Sequence, residues 1–432
     1  MENLLKDYRA VYAKLEPEIK ENTEKYRKGD FRIQVTDAAG EPLKNTEIRM
    51  KQKSHAFDFG CNGLMLGQLG EGNEVYEQEF VKLFELVTTT FCWSITETEP
   101  GKFRFAEGSE EVFRRPPADR VLKFAEKYGL KAKGQPLLAD SWYPDWAARD
   151  VEELKKQYIN YFSKVAERYD GRFYMFDVTN ESNLCEQRTP DFPLLKLGKA
   201  EYVKWALKEA QKLFGSRTKL ERNEANEVNA GEAADEYFVQ NKAILKEGIR
   251  LDSIGLQFHL FHDNMAKQHM KQEYLGLEEI YGKYMKYCEL GIPMYISEVT
   301  VPSKFSGLTR EQGEKIQAEL VEKLYRLWFS IPNMAGIIYW NFRDGKAWND
   351  EGDCLGCLLD GDLREKPSYQ VLYQLIQREW KTELTLVTDE KGEVSFRGYY
   401  GRYDVTVGEH VYEADFSGKN SRVALLVGKP KR

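Results

Sequence analysis

Two stretches of the chain end in the same way, and they decide the fold. The first is Arg172-Phe-Tyr-Met-Phe-Asp-Val-Thr-Asn-Glu181, and the second is Ile292-Pro-Met-Tyr-Ile-Ser-Glu298. Each is an apolar run typical of a buried β-strand, and each leads into a glutamate. An ionisable side chain at the end of a buried strand must be hydrated, paired or functional. Both stretches therefore predict strands that carry a polar side chain to one edge of a sheet.

Six further strand-like runs lie at residues 56–61, 87–93, 131–138, 217–223, 251–260 and 335–342. Helix-period segments separate most of them. Eight strands that alternate with helices over about 320 residues fit one (β/α)8 TIM barrel better than two doubly wound domains. Phe59-Gly-Cys-Asn-Gly63 has glycines, but not the GxGxxG spacing of a doubly wound nucleotide-binding sheet. The predicted class is α/β, with a single barrel.

The two ends of the chain have a different pattern. Residues 1–28 predict a charged amphipathic helix, and alternating apolar residues from Phe31 to Met50, on both sides of a turn, are a hairpin signal. Strand-like runs also end the chain. Because an isolated hairpin is marginal, we expect the N- and C-terminal segments to pair into one small β module. The predicted division is 1–54 for the N-terminal helix and β lead-in, 55–379 for the barrel and 380–432 for the C-terminal β segment.

The composition describes a folded, mildly acidic protein. Of the 432 residues 42% are hydrophobic, and the net charge is -7. We therefore expect neither nucleic acid nor an anionic membrane surface as a partner. The start, Met-Glu-Asn-Leu-Leu-Lys-Asp, lacks the apolar segment of a signal peptide. This predicts a cytoplasmic protein, or a secreted one if a leader has been removed.

The six cysteines show no disulfide rhythm. Only Cys354 and Cys357 form a CxxC pair, and a four-cysteine zinc site would need a second pair. Histidines are also few, at five. The sequence therefore predicts no metal and no other cofactor.

Glu181 and Glu298 together predict a catalytic pair. For either alone, a salt bridge at the barrel rim is the commoner explanation. On the fourth and seventh strands, however, both would reach the face of the barrel at which such enzymes carry their active sites. Two carboxylates across a cleft are the groups that hydrolyse glycosidic bonds, since one protonates the leaving oxygen while the other attacks the anomeric carbon or activates water.

Polar and aromatic side chains on other strands extend the predicted site. Gln257 and His259 are two residues apart, so they point to one side of the sixth strand, which we expect to be the barrel mouth. His259 can hydrogen-bond a carboxylate, and Gln257 can bond sugar hydroxyls. Trp340 ends the eighth strand and Trp348 follows in the next loop. Both can stack on sugar rings, although either could instead cap the barrel core.

In this order the motifs resemble glycoside hydrolase family 10, the retaining xylanase-type family. Phe176–Glu181 is similar to the acid/base motif of the family, Gly255–His259 to its strand-six motif and Ile296–Glu298 to its nucleophile motif. The stretch Trp340–Trp348 resembles the strand-eight pair, and Leu359–Tyr369 resembles the segment that leads into the last helix. The resemblance covers most of the chain.

This resemblance implies double displacement without a cofactor. Glu181 would be the acid and then the base, and Glu298 the nucleophile. Asn180, Gln257 and His259 would orient the nucleophile and the sugar. The partner would be an oligosaccharide or polysaccharide substrate.

Two departures from the family pattern change the sugar-binding residues. After the second strand the family carries Glu-Asn-x-x-Lys, whereas the stretch Trp93–Lys102 lacks the Asn and a correctly spaced Lys. After the third strand Gln135 and Asp140 occupy the two positions at which the family has His, and Trp142 follows. We expect all three residues to contribute to sugar binding. Such exchanges can alter sugar specificity by orders of magnitude.

The sequence thus predicts a retaining hydrolase of β-linked glycans or oligosaccharides, similar to endo-1,4-β-xylanases. One alternative is an exo-acting or side-chain-specific β-glycosidase for imported oligosaccharides, which the missing signal peptide and the changed residues favour. Another is a non-catalytic sugar-binding protein on the same scaffold. A weaker hypothesis gives the terminal β module a sugar-binding role through Tyr399, Tyr400 and Tyr403, which could equally be core residues.

Overall fold

The computed structural model describes residues 3–347, 349–418 and 422–427, and its centre is a closed barrel of eight parallel strands. The strands in chain order are β1 (Lys28–Thr36), β2 (Glu47–His55), β3 (Asp58–Asn62), β4 (Leu86–Thr90), β5 (Glu97–Glu99), β6 (Lys102–Phe103), β7 (Lys131–Gln135), β8 (Met175–Asn180), β9 (Lys219–Glu224), β10 (Ser253–His259), β11 (Met294–Thr300), β12 (Met334–Tyr339), β13 (Glu383–Val387), β14 (Glu393–Tyr399), β15 (Gly401–Val407), β16 (His410–Asp415) and β17 (Arg422–Leu426). Around the barrel the order is β3-β4-β7-β8-β9-β10-β11-β12, and β12 closes against β3. Each of these strands overlaps one predicted run, so the (β/α)8 prediction is confirmed.

The helices are α1 (Lys6–Arg27), α2 (Asn73–Leu83), α3 (Trp93–Thr96), α4 (Ala118–Tyr128), α5 (Val151–Tyr169), α6 (Cys185–Arg188), α7 (Lys199–Leu213), α8 (Gly231–Lys246), α9 (Asp263–Met270), α10 (Leu277–Tyr287), α11 (Arg310–Ser330), α12 (Asn349–Asp353) and α13 (Pro367–Gln374). Local sequence sets several of their ends. Asp150 caps α5 by accepting two backbone N–H groups, and Thr309 opens α11 in a reciprocal capping box with Gln312. Within the described residues, no helix has both the length and the apolar character needed to cross a bilayer.

Both ends of the chain form β sheets outside the barrel, as predicted, but with different pairing. One sheet has the order β14-β1-β17 and the other β13-β2-β15-β16. The predicted hairpin between Phe31 and Met50 is therefore wrong, because β1 and β2 lie in different sheets. Each strand has one apolar face, and Phe31 and Ile33 of one sheet share a core with Ile48 and Met50 of the other. Two facing sheets bury both apolar faces, which a lone hairpin would leave exposed.

The tyrosines of this β module mostly belong to its interior. Tyr399 and Tyr403 are buried, and the Tyr403 hydroxyl donates a hydrogen bond to the backbone oxygen of Tyr399. Tyr400 is half-buried, and its ring centroid lies 5.6 Å from that of Phe31. These contacts favour the core interpretation over a sugar-stacking surface.

A fully buried ionic cluster lies inside the barrel. Lys133 Nζ on β7 is 2.9 Å from the Asp177 carboxylate on β8 and 2.6 Å from the Glu221 carboxylate on β9. Burial raises the pKa of Asp177 well above its usual value, with Lys133 opposing the shift and Glu221 adding to it. The cluster joins three neighbouring strands of the barrel through ionisable groups that have no access to water.

Candidate active site

Glu181 and Glu298 lie at the carboxyl ends of β8 and β11, on the barrel face where the following loops meet. Glu181 directly follows β8 with φ 53° and ψ 33°, a left-handed conformation that few residues with a side chain adopt. The Glu181 side chain is 23% exposed and that of Glu298 is 6% exposed. One glutamate therefore faces the opening, while the other is enclosed.

Three polar side chains surround the Glu298 carboxylate. Its Oε1 accepts hydrogen bonds from the side-chain amides of Gln135 and of Asn223, the latter at 3.0 Å. Its Oε2 lies 3.2 Å from Nε2 of His259, whose Nδ1 is 2.9 Å from the Thr300 hydroxyl. Gln135 lies on β7, Asn223 on β9 and His259 on β10. Because the three groups approach from different strands, they fix the orientation of both carboxylate oxygens.

A run of amides links the two glutamates. Gln257 Nε2 donates to Glu181 Oε1 at 2.9 Å and lies 3.3 Å from Asn180 Oδ1. Asn223 Nδ2 donates to the same Asn180 oxygen at 2.8 Å, and it reaches Glu298 as described above. The predicted residues Asn180 and Gln257 are thus brought together with both glutamates.

His259 is held by aromatic and polar neighbours. The Phe261 ring stacks on the imidazole with centroids 4.4 Å apart, and the Trp340 ring lies edge-on at 6.4 Å. The His259 backbone N–H donates to Asn226 Oδ1 at 2.7 Å. Of the two tryptophans predicted at the eighth strand, Trp340 therefore lies beside His259 but is largely buried. Trp348 lies outside the described residues.

Asp140 lies near Glu181, but its carboxylate binds an arginine. Arg188 of α6 donates to Asp140 from Nη2 at 2.8 Å and from Nε at 3.3 Å, and the Thr189 hydroxyl donates at 2.6 Å. Arg188 also donates through Nη1 to Oε2 of Glu181. Burial opposes the Arg188 charge, but Asp140 and Glu181 outweigh it, so the pKa of Arg188 lies above its ordinary value. Asp140 is buried, and we expect it to position Arg188 rather than to contact a sugar.

The other predicted loop residues are also engaged with protein groups. The Arg115 guanidinium lies 5.3 Å from the ring centroid of Trp142, so a cation covers one face of that half-buried ring. Glu97, in the stretch that departs from the family pattern, accepts from Trp93 Nε1 at 2.6 Å and from the Gly101 N–H at 2.7 Å. Glu97 therefore stabilises its own loop.

A second charged group lies at the ends of β12 and β3. Arg114 Nη2 donates to Asn341 Oδ1 at 2.6 Å and to Glu351 Oε2 at 2.8 Å, and Asn341 Nδ2 donates to Glu351 at 2.9 Å. Asn62 Nδ2 is 3.5 Å from Asn341 Oδ1. Burial would raise the pKa of Glu351, but the Arg114 charge and these bonds outweigh it, so that pKa is lowered. A buried arginine, Arg114, thus lies at the mouth of the barrel. The sequence lacks the lysine of the Glu-Asn-x-x-Lys pattern described above.

Asn223, Arg188 and Arg114 are among the residues of this site that sequence reasoning missed. Arg188 and Arg114 carry no local pattern, since their partners are distant in the chain. For Asn223, the polar stretch Asn223-Glu-Ala-Asn226 at the end of β9, the fifth strand of the barrel, could have indicated a site residue. Polar residues at the carboxyl end of a barrel strand are where site residues are expected.

Comparison with known proteins identifies the family of this chain. The family model "Glycosyl hydrolase family 10" matches residues 62–375. An anti-sigma-I factor, RsgI6 of Acetivibrio thermocellus, is 24% identical over 397 residues, which are 90% of this chain and 46% of that protein. Endo-1,4-beta-xylanase 2 of Aureobasidium pullulans is 26% identical over 296 residues, 66% of this chain and 77% of the xylanase.

Solved structures show the same barrel. Xylanase 10B from Thermotoga petrophila in complex with xylobiose has a TM-score of 0.62 at 19% identity, over 75% of this chain and 95% of that one. Xylanase 10B from Thermotoga maritima also has a TM-score of 0.62, at 20% identity, over 75% and 96% of the two chains. At such identities the likeness shows the fold alone. Since the family model covers most of the barrel and includes the ends of all eight strands, this chain belongs to glycosyl hydrolase family 10.

Proposed function

We propose that the protein is a retaining β-glycosidase that cleaves β-linked, xylose-type glycans or oligosaccharides. The observation that carries this proposal is the linked pair of glutamates at the ends of β8 and β11. The enclosed Glu298 is oriented by three polar side chains, and the more exposed Glu181 faces the opening. This asymmetry suits a nucleophile and an acid/base respectively.

The reaction proceeds in two displacements. In the first, a Glu298 oxygen attacks the anomeric carbon, the glycosidic C–O bond breaks, and Glu181 gives its proton to the leaving oxygen. In the second, Glu181 takes a proton from water, whose oxygen attacks the anomeric carbon and releases Glu298. Gln257 and Asn180 lie between the two glutamates, where their amides can bond the hydroxyls of the bound sugar.

The substrate we propose follows the family, while the site suggests altered sugar contacts. The xylanase relatives favour a β-1,4-linked xylose backbone. Arg114 and Arg188 stand in the mouth where the sequence lacks the lysine and histidines of the family pattern. These exchanges favour a short oligosaccharide, cleaved by an exo-acting or side-chain-specific enzyme, over polymeric xylan. Product profiles from oligosaccharides of increasing length distinguish the two, because an endo-acting enzyme prefers longer chains.

Two alanine variants test the proposal. Glu298→Ala should lose activity on an aryl β-xyloside. Glu181→Ala should still form the glycosyl-enzyme from a substrate with an activated leaving group, but should hydrolyse it slowly because the base is missing. Added azide should restore turnover with a β-glycosyl azide as product, since a small anion then replaces the base-activated water. Full activity of Glu298→Ala, or an azide product of inverted configuration, would refute the assignment.

A second candidate is a sugar-binding protein without turnover. The match to an anti-sigma-I factor over 90% of this chain favours it, because that relative is named for regulation rather than hydrolysis. If this candidate is right, xylo-oligosaccharides should raise the melting temperature of the protein, and no aryl glycoside or oligosaccharide should be cleaved. Measurable turnover that disappears in Glu298→Ala would exclude it.

A further inference from the structure

The ion pair between Arg188 and Glu181 stands out among the contacts of the two glutamates. Glu181 Oε2 accepts from Arg188 Nη1, and Glu181 Oε1 accepts from Gln257 Nε2 at 2.9 Å. Both oxygens therefore act as acceptors, which is the arrangement of an ionised carboxylate. This form suits the second displacement, in which Glu181 acts as a base. The first displacement instead needs a proton on one of these oxygens.

The position of Arg188 is set by a buried carboxylate. Asp140 is 1% exposed and receives two of the Arg188 donors, at 2.8 and 3.3 Å. The Thr189 hydroxyl donates to the same carboxylate at 2.6 Å. Asp140 thus both anchors the guanidinium and neutralises part of its charge, while the Arg188 side chain remains 33% exposed at the mouth.

We propose that Arg188 is a positioning residue that sets the protonation of Glu181. Asp140 is the counter-charge that limits how strongly Arg188 stabilises the ionised form of Glu181. This inference rests on the proposed function, since it assigns Glu181 the acid/base role. Arg188 stabilises the ionised form needed in the second displacement. Asp140 keeps that stabilisation small enough for Glu181 to be protonated in the first.

Other ionisable groups near Glu181 are unchanged in all variants. They are Glu298 on β11, Cys92 in the loop after β4 and Glu224 on β9. Glu298 is linked to Glu181 through the amides of Asn223, Asn180 and Gln257. Glu224 bonds Ser182 and Asn183, which follow Glu181. Among the residues that the structure describes, Arg188 and Asp140 hydrogen-bond each other, Glu181 and Thr189 rather than these groups, so substitutions at that pair change one interaction with Glu181 at a time.

The test is the pH dependence of kcat/KM for xylotetraose, whose leaving group needs a proton. Removing the cation in Arg188→Gln lets Glu181 stay protonated to higher pH, so the basic limb should move up by about one pH unit, as expected for one nearby opposite charge. Neutralising the counter-charge in Asp140→Asn should move the limb down. Arg188→Lys, which keeps the charge, should leave the limb nearer to that of the wild type than Arg188→Gln does.

Opposite shifts from two adjacent residues are not expected from a structural role. Thermal unfolding first establishes that each variant is folded at the assay temperature. With a 2,4-dinitrophenyl β-xylobioside, whose leaving group departs without a proton, the basic limb of the first displacement should be weak in all variants. Unmoved limbs, or shifts of both variants in the same direction, would overturn the inference. Absence of turnover in the wild type would instead refute the proposed function.

Discussion

Truncation of Asn223 tests whether the amide network positions Glu298. Asn223 donates to Glu298 at 3.0 Å and to Asn180 at 2.8 Å, and the Ser297 hydroxyl donates to its oxygen at 2.5 Å. A hydrogen bond to a charged group contributes about 1.5–3 kcal/mol. If the bond to Glu298 acts in the transition state, Asn223→Ala should lower kcat/KM about 10- to 150-fold, because about 1.4 kcal/mol corresponds to a factor of ten.

The assay is kcat/KM for 4-nitrophenyl β-xylobioside, measured beside thermal unfolding. Asn241→Ala is the matched control, because Asn241 is also fully buried but bonds Arg222, at 3.3 Å, rather than either glutamate. Both variants lose a buried amide and should lose stability, while only Asn223→Ala should lose activity in the folded protein. Activity within twofold of the wild type in Asn223→Ala, or equal losses in both variants, would show that Asn223 does not position Glu298 for catalysis.

Two further predictions concern stability. Lys133→Met leaves Asp177 and Glu221 buried without their counter-charge, so urea titration should show a loss of about 3–5 kcal/mol in the free energy of unfolding; unchanged stability would contradict this. Burial raises the pKa of Glu85 to about 7, with Lys381 opposing in part, so the stability that Glu85 contributes is full below its unfolded pKa and is lost as pH rises towards 7. Glu85→Gln should therefore be more stable than the wild type at pH 8, by up to about 3 kcal/mol, and not at pH 4; an equal gain at both pH values would argue against the mechanism.

The barrel could be predicted from the sequence because its signals are local. Most of the barrel strands are short apolar runs bounded by helical segments, although β7 and β9 are largely polar. A parallel barrel strand is buried on both faces, which makes the apolar runs easy to recognise. Glu181 and Glu298 were identifiable for the same reason, since each interrupts an apolar run at its carboxyl end.

The pairing of the terminal strands and part of the site depend on contacts between distant residues. The alternation from Phe31 to Met50 predicts two strands but not their partners. In the structure β1 pairs with β14 and β17, and β2 pairs with β13 and β15, because the two sheets bury their apolar faces against each other. Arg188 meets Asp140 across 48 residues, and Arg114 meets Asn341 across 227. A single sequence carries no sign of such pairs, because neither arginine lies in a recognisable local motif.

The proposed function depends above all on Glu298 as the nucleophile of a double displacement. Its most direct test is incubation with 2,4-dinitrophenyl 2-deoxy-2-fluoro-β-xylobioside, in which fluorine slows the second displacement, followed by mass spectrometry of the digested protein. We expect one fluoroglycosyl group per chain, attached to Glu298, and no label in Glu298→Ala. Labelling of another carboxylate, or an unlabelled protein that still hydrolyses 4-nitrophenyl β-xylobioside, would contradict it.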